Sequence, residues 1–147
     1  MSKILKISDA SSLAMHTMGL LASEPGKVFS NREAASTLGV SEAHLSKVMQ
    51  RMARGGYISS TRGPRGGFKL AKPAKSITLL EIFEQIEGPL APSECLLAKK
   101  VCGGDRCILG GLLENVNGQV QKYLSETKLS DIVDVYRSVG DGKKRRQ

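Results

Sequence analysis

Apolar side chains fall at helical spacing in three short runs along the first third of the chain. Residues 10–22, ASSLAMHTMGLLA, form the first, with Asp9 or Ser11 placed to cap it. Glu24-Pro25-Gly26-Lys27 stops that run, and Val28 and Phe29 lead to Ser30. Ser30 with Glu33 three residues later is a capping-box pattern, which predicts a second helix over 31–38 ending at Gly39. Ser41 caps a third helix, with Glu42 in its first turn and Leu45, Val48, Met49 and Met52 on its apolar face. Gly55-Gly56 ends it.

Two helices joined by about three residues containing a glycine form a helix-turn-helix. Ala34-Ala35 allows close approach of the helices, Gly39 allows the tight turn, and Val40 fills the space between them. The period then changes. Tyr57-Ile58-Ser59-Ser60 reads as a strand, Thr61-Arg62-Gly63-Pro64-Arg65-Gly66-Gly67 as a turn, and Phe68-Lys69-Leu70 as a returning strand. Strand, basic glycine-rich turn and strand behind a helix-turn-helix predict the wing of a winged helix. Arg62 and Arg65 stand at its tip and Lys69 on its return strand. Such arginines suit phosphates or the minor groove.

Thr78 caps a fourth helix with Leu79, Leu80, Ile82, Phe83 and Ile86 on one side and Glu81, Glu84 and Glu87 on the other. Its acidic side is expected to face away from DNA, and Gly88-Pro89 ends it. Residues 91–111 read as a loop. Helical spacing resumes over 108–124 with Leu109, Leu112, Leu113, Val116, Val120, Tyr123 and Leu124, a stripe suited to a dimer interface. Leu129, Ile132, Val133, Val135 and Tyr136 predict a short last helix, with Thr127 or Ser130 as its cap. The expected fold is mainly α with a small β-hairpin wing: a winged helix-turn-helix followed by a long C-terminal dimerisation helix. It divides into a DNA-binding domain (1–88), a cysteine-containing sensor loop (89–107), the dimerisation and terminal helices (108–139) and a basic tail (140–147).

Charge sharpens this division. The 147 residues carry a net +8. Residues 1–75 hold 12 Lys/Arg against 4 Asp/Glu, whereas residues 76–140 hold 6 against 9. The excess therefore lies on the winged-helix half, as a nucleic-acid footprint would. The tail adds Lys143-Lys144-Arg145-Arg146. No apolar run is long enough for a membrane span, and the N-terminus lacks a signal-peptide pattern, so a cytoplasmic protein with reduced thiols is expected. No serine–histidine–acid set or metal-hydrolase motif appears, and Gly63-x-x-Gly66-Gly67 has no helix behind it to make a phosphate loop. An enzyme is not expected.

The three cysteines, Cys95, Cys102 and Cys107, fall within thirteen residues at C-x6-C-x4-C spacing. An odd count excludes a closed disulfide framework. Structural zinc prefers closer pairs and four protein ligands. Three thiolates in a polar, glycine-containing loop instead suit one iron–sulfur cluster, 2Fe–2S or 4Fe–4S, with one position left for another ligand. Lys99, Lys100 and Arg106 would offset thiolate charge. Metal-free redox thiols, zinc, and a disulfide formed on oxidation are the alternatives. Candidates for the fourth ligand are His16, Asp9, Glu94 and Asp105. His44, in the third helix, suits a base or phosphate better.

These motifs together resemble the bacterial winged-helix repressor family of IscR, NsrR and RirA, from about residue 10 to residue 135. The likeness is carried by Val40-Ser41-x-x-x-Leu45-x-x-Val48 and by Gly56-Tyr57-Ile58-x-Ser60-x-Arg62-Gly63-Pro64-x-Gly66-Gly67-Phe68-x-Leu70. Ile77-Thr78-Leu79-x-Glu81-Ile82 and the cysteines ahead of a long helix complete it. The resemblance implies a homodimeric repressor on a palindromic duplex. Recognition-helix contacts would come from Ser41, His44, Ser46, Lys47 and Arg51, and wing contacts from Arg62, Gly63, Pro64, Arg65 and Lys69. It also implies cluster ligation by Cys95, Cys102 and Cys107. Family sensors space these cysteines evenly, whereas here the gaps are six and four within the same total span. A histidine on the helix of His16, or an aspartate near the position of Ser12, serves as fourth ligand in some members. Others of the family act without metal, on thiol state or on a partner of cysteine metabolism.

Overall fold

The computed structural model describes residues 7–91, 93, 95–103 and 106–136. The tail and the side chains of Glu94 and Asp105 lie outside them.

Helix α1 spans Asp9–Ser23 and is the axle of the molecule. Leu13, Ala14, Thr17, Met18 and Leu21 are all buried. The hydroxyl of Thr17 survives burial by donating to Leu13 O at 2.7 Å. The cap is neither Asp9 nor Ser11 but Ser8, whose Oγ accepts from the Ser11 amide at 3.0 Å. Asp9 becomes the first helical residue, where its carboxylate meets the positive end of the helix.

Helix α2 (Asn31–Leu38) and helix α3 (Glu42–Arg54) follow the expected bounds. Ser30 Oγ accepts from Glu33 N at 3.0 Å. The Glu33 carboxylate reaches out to Lys27 Nζ at 2.8 Å instead of back to its cap. Gly39 is left-handed at φ 67°, and Val40 N donates to Ala35 O at 3.0 Å, which closes the turn. Asn31 Nδ2 donates to Glu42 O at 2.9 Å and ties the first turn of α2 to that of α3.

Strands β1 (Ile58–Thr61) and β2 (Gly67–Leu70) pair antiparallel, with Ile58 opposite Leu70 and Thr61 opposite Gly67. Gly66 N donates to Gly63 O at 2.9 Å, with Pro64 second in the four-residue turn, where its fixed φ suits the bend. The sequence pattern did not show that β2 also bridges Phe29. Phe68 N donates to Phe29 O at 2.8 Å and Phe29 N to Phe68 O at 3.0 Å. Only a glycine fits beside this bridge, because a Cβ on Gly67 would lie 2.0 Å from Phe29 O.

Helix α4 (Leu79–Glu87) opens with a full capping box: Glu81 N to Thr78 Oγ1 at 3.2 Å, Thr78 N to Glu81 Oε2 at 2.8 Å. Ile82 and Ile86 face the core. Burying side chains of this size contributes about 1.5–3 kcal/mol each.

Helix α5 runs Leu112–Glu126, four residues later than 108–124 suggests. Gly110 N bonds to Cys107 O at 2.9 Å in a separate turn, and the following Gly111 supplies no side-chain cap. The expected last helix is interrupted among the described residues. Leu129–Asp131 is a single 3-10 turn, and helix resumes only at 134–136. Neither Thr127 nor Ser130 caps it; the Asp131 carboxylate folds back on Lys128 N at 2.9 Å. Three β-branched residues, Ile132, Val133 and Val135, lower helix propensity there. Leu129 N donates to Ile77 O and Leu79 N to Thr127 O, each at 2.9 Å, which stitches the end of α5 to the start of α4.

Candidate nucleic-acid interface and cysteine loop

The recognition helix presents its polar side because its apolar side is fully used. Leu45, Val48, Met49 and Met52 are buried, while His44, Lys47, Gln50 and Arg51 are exposed at helical spacing. Ser41 Oγ accepts from His44 N at 3.1 Å, so this hydroxyl fixes the helix start and keeps its own proton to donate.

Ser46 and Arg62, distant in sequence, line one cleft of about 380 Å³ between α3 and the wing. Asn31, Gln50, Ser60 and Thr61 share its walls. Ser60 belongs to the wing motif, whereas Asn31, Gln50 and Thr61 were not among the expected contacts. Gln50 was legible, since it lies one turn beyond Ser46 on the polar face. The others depend on how the hairpin folds over α3. Gly63, Pro64, Arg65, Lys47 and Lys69 are exposed beyond the cleft.

His44 points elsewhere. It lines a second cavity of about 430 Å³ with Asp9, Ser12, His16, Leu38 and Val40. The fourth-ligand candidates Asp9 and His16 thus share a cavity with a recognition-helix residue. His16 is exposed rather than partly buried. Its Nδ1 lies 2.6 Å from Ser12 O, a carbonyl that can only accept, so Nδ1 is the donor in that bond. Arg51 turns away from the expected duplex side, its guanidinium donating to Ile86 O at the end of α4.

The cysteine loop is open. Cys95 is half-buried and Cys102 and Cys107 are exposed, all as free thiols. Two are already held by backbone amides: Leu97 N donates to Cys95 Sγ at 3.4 Å, and Leu109 N to Cys107 Sγ at 3.5 Å. Asn117 Nδ2 of α5 donates to Ser93 O at 3.0 Å and moors the loop's first arm. Among the described residues, no three His, Cys, Asp or Glu side chains are gathered closely enough to hold a metal ion. Large apolar side chains flank each cysteine in water, with Leu96 72%, Val101 71% and Ile108 93% exposed.

Glu87 is the most heavily coordinated carboxylate in this region. It accepts from Ser11 Oγ at 2.6 Å and from Ser8 Oγ. These hydroxyls, with a lesser contribution from Arg51, hold it below the ordinary carboxylate range.

A family model described as iron-dependent transcriptional regulator, Rrf2, matches residues 7–135. The chain belongs to the Rrf2 family. It is a winged-helix bacterial transcriptional regulator that binds DNA, and its family is regulatory rather than enzymatic. An HTH-type transcriptional regulator of Aquifex aeolicus is 28% identical over 131 residues, covering 87% of this chain and 91% of that protein. IscR of Photorhabdus laumondii is 29% identical over 96 residues, which is 65% of this chain and 58% of that protein. The chain thus matches less than two thirds of the length of that relative. Among solved structures, CymR of B. subtilis superposes with a TM-score of 0.76 at 26% identity, over 90% of this chain and 98% of that one; it is described as the global cysteine regulator of that organism. IscR of T. potens gives a TM-score of 0.70 at 23% identity over 92% and 91%, a likeness of fold. No helix among the described residues is long and apolar enough to cross a membrane.

Proposed function

We propose that this Rrf2-family regulator is a homodimeric repressor of a palindromic operator, with affinity set by the state of its three-cysteine loop. An iron–sulfur cluster on Cys95, Cys102 and Cys107 is the preferred signal. The observation that carries this reading is the pair of amide N–H···S contacts at Cys95 and Cys107, both thiols being free. Backbone amides aimed at sulfur stabilise a thiolate and tune a cluster. The donor set fits the group in its chemistry: three soft sulfurs, cations nearby at Lys99 and Lys100, and a histidine as a nitrogen donor. The three thiols still have to converge, and Gly103, beside Cys102, lowers the steric cost of doing so. Of the fourth-ligand candidates, His16 is favoured by its exposed ring and by the bond that orients it through Nδ1.

Bound in that loop, a cluster would supply a centre that iron supply, oxidation or nitric oxide alters. The chain's own residues do the rest. Ser41, Ser46 and Lys47 approach base edges and phosphates from the recognition helix, while Arg62, Gly63, Pro64 and Arg65 enter from the wing. Residues 1–88 are the reader, 89–107 the sensor and 108–139 the dimer arm. Dimerisation is supported by α5, where Leu112 and Tyr123 are 54% and 60% exposed. Beside it lies an almost wholly apolar cavity of about 340 Å³ lined by Ile7, Met15, Leu79, Val120 and Leu124.

The test is anaerobic purification with iron and sulfide analysis, an absorption spectrum, and operator titration before and after iron removal. Coloured protein whose operator affinity changes on iron removal is expected. Identical DNA binding in both states would sink the cluster reading. A second reading, a metal-free thiol regulator, is favoured by the ungathered thiols and by the likeness to CymR. Colourless, iron-free protein from air-free cells, with DNA binding that follows thiol oxidation, would select it.

A further inference from the structure

The last turn of α4 is bonded to three other parts of the molecule at once. Gln85 Nε2 donates to Arg51 O at 2.9 Å, and the Arg51 guanidinium donates back to Ile86 O. This is a reciprocal clamp between recognition helix and α4, in which Arg51 also caps a helix C-terminus with the favoured sign of charge. Glu87 takes the Ser8 and Ser11 hydroxyls at the start of α1. Glu84 Oε1 accepts from Leu90 N at 2.9 Å, and Leu90 is already in the segment leading to Cys95. The join is tight as well as bonded. At Gly55, the cap of α3, an added Cβ would lie 2.6 Å from the Gln85 side chain.

We infer that residues 84–90 are the coupling joint between sensor loop and recognition helix, with Gln85 and Arg51 as its positioning residues. The inference rests on the reading that loop state and DNA binding are linked. A pull on the loop's first arm acts on Leu90, hence on Glu84 and the last turn of α4. That turn is bonded to the main chain of α3 at Arg51, one turn past Lys47. A change in the loop is therefore passed on to the recognition helix, because Glu84, Gln85 and Arg51 each end on a main-chain atom of the next segment. Linkage requires the reverse also: a duplex that fixes α3 must fix the loop's first arm.

The test uses the full reduced chain without added iron and a duplex selected by that chain from a random pool. Alkylation of Cys95 by iodoacetamide is followed by peptide mass spectrometry with and without duplex. In the wild type, duplex is expected to change the Cys95 rate by about fivefold or more. Gln85→Met, which keeps length and helix propensity but removes the amide, should bring that ratio below about twofold while duplex is still bound. Glu84→Met, which removes the acceptor of the Leu90 amide but keeps length and helix propensity, tests the loop side of the joint should Gln85→Met not fold, and is expected to reduce the ratio likewise. A wild-type ratio near one, or a full ratio in either folded variant, overturns the inference. Because no metal enters the assay, finding the protein iron-free sinks the cluster reading and leaves this one standing. Failure to select any duplex sinks the DNA-binding reading and this inference together.

Discussion

The winged helix and the cysteine loop are built on opposite principles. From Ser8 to Gly88 each helix has a side-chain cap at its start, and Leu45, Met52, Ile82 and their neighbours are sealed from water. Between Ser93 and Leu112 large apolar side chains lie in solvent, and the described residues are held by short turns and by the Asn117 bond to Ser93. The contrast teaches that the reader is stable by its own contacts, whereas the sensor has surface to spare for something else. Apolar groups as exposed as Ile108 and Val101 mark a segment that gains order on receiving a ligand or a partner.

The contrast breaks most visibly through stability. Ile82→Ala, in a fully buried site, should cost about 2–5 kcal/mol, whereas Ile108→Ala should change stability by less than about 0.5 kcal/mol. Urea unfolding measures both, and equal losses would show that the loop is as integral as the core. Next in size are the wing arginines. Arg62→Ala with Arg65→Ala should weaken operator binding by an order of magnitude or so and flatten the slope of log affinity against log salt by about 1.8. Titration at several salt concentrations reads both, and an unchanged slope would remove these residues from the phosphate contacts.

A third change separates sensing from folding. Replacing Cys95, Cys102 and Cys107 with serine should abolish iron binding while the urea midpoint stays within about 0.5 kcal/mol of wild type. A large drop in the midpoint would mean that the thiols are structural. Val116→Glu, on the exposed side of α5, should shift the sedimenting species from dimer to monomer without loss of helical signal.

The smallest effect concerns acid. Glu87 is held below its ordinary value of 4.5 by the Ser11 and Ser8 hydroxyls. A carboxylate depressed in the folded state stabilises fully above its unfolded value and loses that contribution as pH falls through its folded value. Glu87→Gln should therefore lower stability slightly at neutral pH and flatten the acid limb below about pH 4.5, so that variant and wild type converge in acid. The carboxylate is largely solvated, so the change is small. An identical acid limb in wild type and variant would show that those hydrogen bonds do not persist in solution.

What the sequence disclosed follows from the range of the forces involved. Ser30, Ser41, Thr78 and Gly39 act within three or four residues, and all four stand where local pattern puts them. Ser8 was overlooked because Asp9 and Ser11, both good caps, flank it. The start of α5 was misjudged because Ile108 and Leu109 continue the apolar period while Gly110 and Gly111 break it. The joint at Gln85 and the wall of the cleft at Asn31 and Thr61 were invisible, since each depends on segments brought together by tertiary folding. The cysteines were obvious as chemistry, but their arrangement is not fixed by nearby residues, so neither pattern nor fold gathers them.

The bridge between Phe29 and Phe68 gives the wing a hinge that does not turn. With the β2 backbone bonded on both sides of Phe68 and no room beside Gly67, the hairpin is fastened to the threshold of α2 as well as to its own partner strand. The winged helix then carries a caliper of fixed gape, its jaws at Ser46 and Arg62. Operators of different spacing cannot be accommodated by opening that caliper. In the proposed dimer, any adjustment would come from how two such units are set apart along the duplex.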